Sequence, residues 1–144
     1  MQYKQINKDY FIYIEKNEKI MDTLTRFCIE EDISNAKISG IGAVKNTEIG
    51  AYDIELKDYI RKTYTEAQEL VSFEGNITLK DSVPFPHAHV VLSDHNMVTL
   101  GGHLFESTIA AVGEFFLHKF DYKACRQMND DVGLPCIFLE DTFN

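Results

Sequence analysis

Tryptophan is absent from this 144-residue sequence, and cysteine and proline occur only three times each. The cysteines, Cys28, Cys125 and Cys136, include no Cys-x-x-Cys pair, which argues against a disulfide framework and against a sulfur-liganded zinc site. No apolar run approaches the roughly 18 residues of a membrane-spanning helix, and the polar start of the chain lacks the apolar segment of a signal peptide. The sequence therefore predicts a cytoplasmic protein that does not enter a membrane.

Basic residues are also scarce. Lysine and arginine together number 14 against 23 aspartates and glutamates, so the net charge is −9 at pH 7. Non-specific DNA affinity depends mainly on basic side chains that neutralise phosphates, and no stretch of this chain concentrates them. We therefore expect that the isolated chain does not bind DNA.

The length fits one domain over residues 1–144. A domain of this size buries about 70% of the surface that its unfolded chain exposes, so it needs no metal merely to fold. Apolar residues make up 44% of the chain, which is typical of a globular protein.

Hydrophobic periodicity predicts one helix and a large sheet. Residues 10–14 are aromatic and β-branched and indicate a strand, whereas apolar residues recur at helical spacing over 18–31. We expect an α+β fold in which this amphipathic helix packs on a mainly antiparallel, strongly twisted sheet. Alternating patterns predict the further strands at 36–44, 47–56, 59–65, 69–79, 87–92, 98–105 and 109–122.

Three histidines, His87, His89 and His103, form the most informative pattern. Two apolar stretches flank the polar cluster at 93–96, an arrangement typical of a β-hairpin. Side chains alternate along a strand, so His87 and His89 share a face. A turn centred near His95 places His103 opposite His87 on the neighbouring strand, where the three imidazoles converge.

Converging imidazoles predict a metal site, because neutral imidazole binds Zn²⁺ and other divalent transition metals. Three protein ligands leave a fourth position open, as in reactive rather than purely structural zinc sites. Gly101 and Gly102 precede His103 and allow a close backbone approach. A pair spaced like His87 and His89 also arises by chance in strands, but the third histidine favours the metal site.

Two glutamates are candidate catalytic residues beside such a metal. Glu114 lies between Val112 and Phe116 on one face of the predicted strand 109–122, so it is a candidate acid or base. An interfacial ion pair is the simpler alternative for this residue. Glu74, on the more polar face of strand 69–79, is the second candidate to assist a metal-bound water.

Four blocks in order along the chain resemble the plants-and-prokaryotes-conserved (PPC) domain family, in its prokaryotic stand-alone form. The histidine pair followed by Gly-Gly-His-Leu is the most specific part, and the resemblance covers roughly residues 5–140. The blocks are Ile38-Ser39-Gly40-Ile41-Gly42-Ala43-Val44, Glu69-Leu70-Val71-Ser72-Phe73-Glu74-Gly75-Asn76-Ile77, Pro86-His87-Ala88-His89 and Gly101-Gly102-His103-Leu104.

The resemblance implies a compact α+β fold, a homotrimer and a metal site formed by the residues that match His87, His89 and His103. Plant relatives join this domain to an AT-hook with an Arg-Gly-Arg core, and no Arg-Gly-Arg occurs here. Three function classes stay open. The chain is expected to be a regulatory module that binds a small anionic ligand at the metal. The alternatives are a DNA-binding protein, as family relatives are described, and a zinc enzyme that uses the open position.

Overall fold

The computed structural model describes residues 1–139, so residues 140–144 of the predicted domain lie outside the described part. Within 1–139 the chain is mostly strand, with a single helix against a twisted sheet. In chain order the elements are β1 Gln2–Ile6, β2 Asp9–Ile14, α1 Ile20–Glu30, β3 Ala36–Asp53, β4 Asp58–Tyr64, β5 Gln68–Lys80, β6 Val83–Ser93, β7 Thr99–Lys119, β8 Cys125–Asn129 and β9 Leu134–Phe138.

The sheet is organised around its two longest strands, β3 and β7. Its order is β1-β2-β7-β3-β5-β8-β9, while β4 pairs with β3, and β6 lies against both β5 and β7. These pairs are antiparallel except β5 with β8, which are parallel through Leu79 and Cys125. The α+β class with one main helix is thus confirmed. The sheet is mixed, so the predicted antiparallel arrangement holds only in part.

Bulges explain why several predicted strand boundaries are wrong. The predicted strands 36–44 and 47–56 are one strand, β3, and 98–105 and 109–122 belong to one strand, β7. The pairing of β3 with β7 shifts register between Lys45 and Glu48 and again before Ile49. A bulge inserts a residue and reverses the in–out alternation without ending the strand, so the sequence pattern looks interrupted.

Helix α1 buries an apolar stripe and receives its N-terminal cap from another element. Leu24, Phe27 and Cys28 are fully buried on the side that faces the sheet. Lys19 makes no capping hydrogen bond with its side chain. Instead, the Glu106 carboxylate of β7 accepts hydrogen bonds from the backbone N–H groups of Met21 and Asp22, at 3.0 and 3.3 Å. A negative charge at this end of a helix is stabilising, because the first N–H groups lack partners within the helix.

The other face of β2, β3 and β7 carries exposed apolar side chains. The Phe11 and Phe116 rings are in tilted contact with centroids 4.0 Å apart, although each is about half exposed, at 52% and 50%. Ile41 is 55% exposed, and its strand partner on β7 is Glu114. We call this surface the outer apolar patch; its members are Phe11, Tyr13, Ile41, Val112 and Phe116.

Helix α1, the one helix found in residues 1–139, is too short to cross a membrane.

Candidate metal centre

The hairpin of β6 and β7 carries all three predicted ligands. Its strands separate after the pair Ser93 and Thr99. The Asp94 carboxylate accepts hydrogen bonds from the backbone N–H groups of Asn96 and Val98, at 2.8 and 2.9 Å, and Met97 has a positive φ of 63°. These bonds hold the loop at 94–98, whose centre is Asn96.

The loop geometry corrects the predicted register. His103 is the partner of His89, not of His87, because the turn centre lies one residue beyond His95. A displacement of the centre by one residue moves the register by two. Side chains alternate with period two, so His103 keeps the face of His87 and His89. The predicted convergence therefore survives the error in register.

The three imidazoles form one cluster on the surface of the sheet. Ring centroids of His87 and His103 are 5.0 Å apart, and both lie within 5.6 Å of the His89 ring. One ring nitrogen from each residue lies within 4.8 Å of the others. Two nitrogens on one tetrahedral zinc ion lie about 3.4 Å apart, so the ring nitrogens have to move together by up to about 1.4 Å to share an ion.

The hydrogen bonding and protonation of these imidazoles are those expected of metal ligands. The Nδ1 atom of His103 is buried and, within residues 1–139, has no hydrogen-bond partner. Burial, together with the neighbouring histidines and arginines, lowers the pKa of His103 to about 4. Burial, followed by the charge of Arg126, likewise lowers the pKa of His87 to about 4. Both rings are neutral at pH 7, which is the form that ligates a divalent transition metal.

Glycines allow the strands around the cluster to approach closely. A Cβ atom at Gly101 would lie 2.7 Å from the carbonyl oxygen of Val90, and one at Gly102 would lie 2.8 Å from that of Gly50. These contacts are with backbone atoms, which cannot move aside as a flexible side chain could. Glycine at both positions therefore lets β7 fit between β6 and β3 just before His103.

Arg126 is a site residue that the sequence reasoning missed. Its guanidinium donates hydrogen bonds to the Thr78 hydroxyl, the Asn76 side-chain oxygen and the Pro135 carbonyl, at 2.8 to 2.9 Å. One of its nitrogens also lies 3.2 Å from Nδ1 of His87. Arg126 belongs to β8, a strand that the sequence reasoning did not predict. The turn-forming residues at 129–133, between the short stretches 125–129 and 134–138, were the available signal for a β8–β9 hairpin.

A cavity of about 1040 Å³ opens beside the cluster. His87 and His103 line it, whereas the more exposed His89 does not. The Tyr59 ring lies 4.8 Å from that of His103, and the Arg61 guanidinium lies 3.7 Å above the Phe105 ring. Phe85, Arg126 and Cys136 are also among its lining residues.

The structure separates the two candidate catalytic glutamates. Glu74 of β5 is the strand partner of His89, so it lies on the face that carries the cluster, where it pairs with Lys37 at 3.8 Å. Glu114 is exposed beside Tyr13 and Ile41, eleven residues beyond His103 on β7. At about 3.3 Å per residue it is some 36 Å along the strand from the histidines.

Comparison with known proteins gives relatives across nearly the whole chain. A protein from Pyrococcus horikoshii, described as a plant- and prokaryote-conserved (PPC) protein, shares 33% identity at a TM-score of 0.84, covering 96% of each chain. A metal-containing protein from Archaeoglobus fulgidus shares 31% identity at a TM-score of 0.87, over 96% of this chain and 99% of its own.

A candidate DNA-binding protein from Bacteroides thetaiotaomicron shares 28% identity at a TM-score of 0.92, over 95% of this chain and 96% of its own. No protein of curated function matches the sequence. The model of the Plants and Prokaryotes Conserved domain, abbreviated PCC or PPC, matches residues 1–121. With four-fifths of its length matched and with PPC relatives of the same fold, the chain belongs to the Plants and Prokaryotes Conserved domain family.

Proposed function

We propose that this chain is a zinc-binding homotrimer that serves as a regulatory or small-ligand-binding module, with His87, His89 and His103 as the metal ligands. The buried Nδ1 atom of His103, without a partner in the described chain and within reach of two more imidazoles, carries the proposal. A set of three neutral nitrogen ligands suits zinc and leaves one coordination position for a small anionic ligand. The description of the relative from Archaeoglobus fulgidus as a metal-containing protein supports a metal site in this fold.

The outer apolar patch supports the trimer. Exposed aromatic and aliphatic side chains that form a continuous group on a sheet face commonly mark a protein interface. A closed ring of subunits covers such a face without forming fibres. The family resemblance selects three subunits from the closed arrangements available.

Metal analysis of the purified protein tests the site. Elemental analysis after dialysis against a weak chelator is expected to give about one zinc per chain, since one triad holds one ion. A metal-free protein that also fails to take up added zinc at neutral pH would contradict the proposal. Stoichiometric uptake of a different divalent transition metal, without uptake of zinc, would support the metal site but contradict zinc as its metal.

DNA is not expected to be a partner of the isolated chain. With a net charge of −9, the protein should show no specific duplex binding and at most very weak binding at physiological salt, about 0.15 M. Fluorescence titration with labelled duplexes of mixed and AT-rich sequence measures this. A submicromolar affinity under those conditions would overturn the expectation and favour the description given to the relative from Bacteroides thetaiotaomicron.

A further inference from the structure

Arg126 is a partly buried cation that has no anionic partner in the described part of the chain, residues 1–139. Its hydrogen bonds go to a hydroxyl, an amide oxygen, a carbonyl and an imidazole. Of the carboxylates in residues 1–139, none forms an ion pair with it. Burial lowers the pKa of Arg126, although the guanidinium stays charged. Charged groups removed from water are ordinarily paired with an opposite charge, so we expect an anion to bind next to the Arg126 guanidinium.

Positive charge is concentrated in the part of the cavity beside the histidine cluster. Arg61 also lines it and has only a long contact of 3.6 Å with Glu48. Arg126 lies 3.2 Å from Nδ1 of His87. Arg61 lies over the Phe105 ring, whose centroid is 4.9 Å from that of His103, so both guanidinium groups are near the histidine cluster. A divalent metal on the three histidines, which is the proposed function on which this inference rests, adds two further charges.

The acidic residues that line the cavity are engaged elsewhere. Glu106 accepts backbone hydrogen bonds from Met21, Asp22 and Ser107 at the start of α1. Asp22 pairs with Lys19 at 3.8 Å. Neither carboxylate therefore compensates the arginines within residues 1–139, which leaves them available to an anionic ligand.

The cavity walls indicate what else that ligand contains. Phe85 and Phe105 each lie beneath a guanidinium, at 5.4 Å from Arg126 and 3.7 Å from Arg61. Tyr59 lies edge-on to Phe105, with centroids 5.0 Å apart. A volume of about 1040 Å³ is that of a site for an organic molecule and far exceeds the need of an inorganic ion. Aromatic side chains in the wall favour a ligand that contains an aromatic ring.

We propose that this cavity binds an aromatic carboxylate, with its carboxylate held by Arg126 and Arg61 beside the histidine cluster. Its ring lies against the aromatic wall formed by Tyr59, Phe85 and Phe105. After its four contacts Arg126 has one of its five N–H groups left, which can donate one charge-assisted hydrogen bond to a carboxylate oxygen and leaves the second oxygen for Arg61. The β8–β9 hairpin, which supplies Arg126 and Cys136, lies beyond the residues 1–121 that match the family model. The proposed site thus takes Arg126 from this C-terminal hairpin and Arg61 from β4.

Calorimetric titration of the zinc-loaded protein tests the inference with three probes. Benzoate is expected to bind at least about tenfold more tightly than benzamide, which has the same ring without the charge. It is also expected to bind at least about tenfold more tightly than acetate, which has the charge without the ring. Equal affinities for benzoate and benzamide would contradict the proposed carboxylate site. Equal affinities for benzoate and acetate would contradict the proposed contact between the ligand ring and the aromatic wall.

Variants of the two arginines test the residues. Arg126→Gln is expected to weaken benzoate binding about tenfold or more, and Arg61→Gln to weaken it less, since Arg61 already contacts Glu48. Arg26→Gln is the matched control, because Arg26 bonds Thr23 on α1 and does not line the cavity. Unchanged benzoate affinity in both cavity variants would overturn the assignment. If Arg126→Gln fails to fold, benzoate binding by Arg61→Gln and the comparison of the three probes still test the proposed carboxylate site.

Zinc content measured in the same samples separates the two proposals. A protein that holds about one zinc per chain but discriminates against neither benzamide nor acetate contradicts the ligand inference alone. A protein that holds no zinc contradicts the proposed metal site. Loss of benzoate binding in Arg126→Gln with zinc retained supports the inference.

Discussion

Replacing His87 and His89 together by alanine is expected to remove the metal from the purified protein while the chain stays folded. Zinc content should fall from about one per chain to near zero, because a single remaining imidazole cannot hold the ion. Both side chains point away from the core, where their neighbour Ala88 is buried. The variant should therefore match chelator-treated wild type in free energy of unfolding to within about 1 kcal/mol.

Elemental analysis and urea unfolding of the two proteins measure these quantities. His95→Ala is the matched control, because His95 is exposed in the loop of the same hairpin and should leave zinc content unchanged. Full metal content in the double variant would contradict the ligand assignment. A folded, metal-free double variant beside a metal-loaded control would support it.

The second large effect concerns assembly. Light scattering is expected to give a mass of about 50 kDa, three chains of 16.5 kDa, at micromolar concentration. Phe116→Glu should shift the mass to that of one chain, because it removes an aromatic ring from the outer apolar patch and places a second negative charge there beside Glu114. The monomer should remain folded, since Phe116 is half exposed and the lost ring contact with Phe11 costs about 0.5–1.5 kcal/mol.

Ile29→Glu serves as the control for assembly. Ile29 is 55% exposed on α1, away from the outer apolar patch, and its replacement should leave the mass unchanged. A wild-type mass of 16.5 kDa would remove the trimer from the proposal. A Phe116→Glu protein that keeps the wild-type mass would place the interface on another surface.

The sequence predicted the parts of the fold that depend on simple periodicity. Helix α1 was expected over 18–31 and is found at Ile20–Glu30, because its apolar residues repeat at helical spacing over three turns. Strand β2 matches the predicted 10–14 apart from its first residue. The face of the histidines was predictable for a similar reason, since the period-two rule does not depend on the exact centre of the turn.

Other features depend on contacts distant in sequence and were not predicted. Strand β1, Gln2–Ile6, is exposed along its whole length and shows no apolar alternation. The cap of α1 comes from Glu106, more than 80 residues from the N–H groups it bonds. Arg126 reaches His87 only because β8 pairs with the end of β5. Local sequence carries no sign of such tertiary contacts, so the cavity beside the histidines could not be predicted.

The position of the histidines on two paired strands has a consequence for how metal is gained and lost. The pairing of β6 with β7, with the glycine contacts at Gly101 and Gly102, fixes the backbone at His89 and His103, and the pairing of β6 with β5 places His87 opposite Asn76. Ion binding then restricts a few side-chain torsions and orders no loop, so its entropic cost is small. The ligand set is preorganised, and repeated metal release and uptake should leave the backbone unchanged.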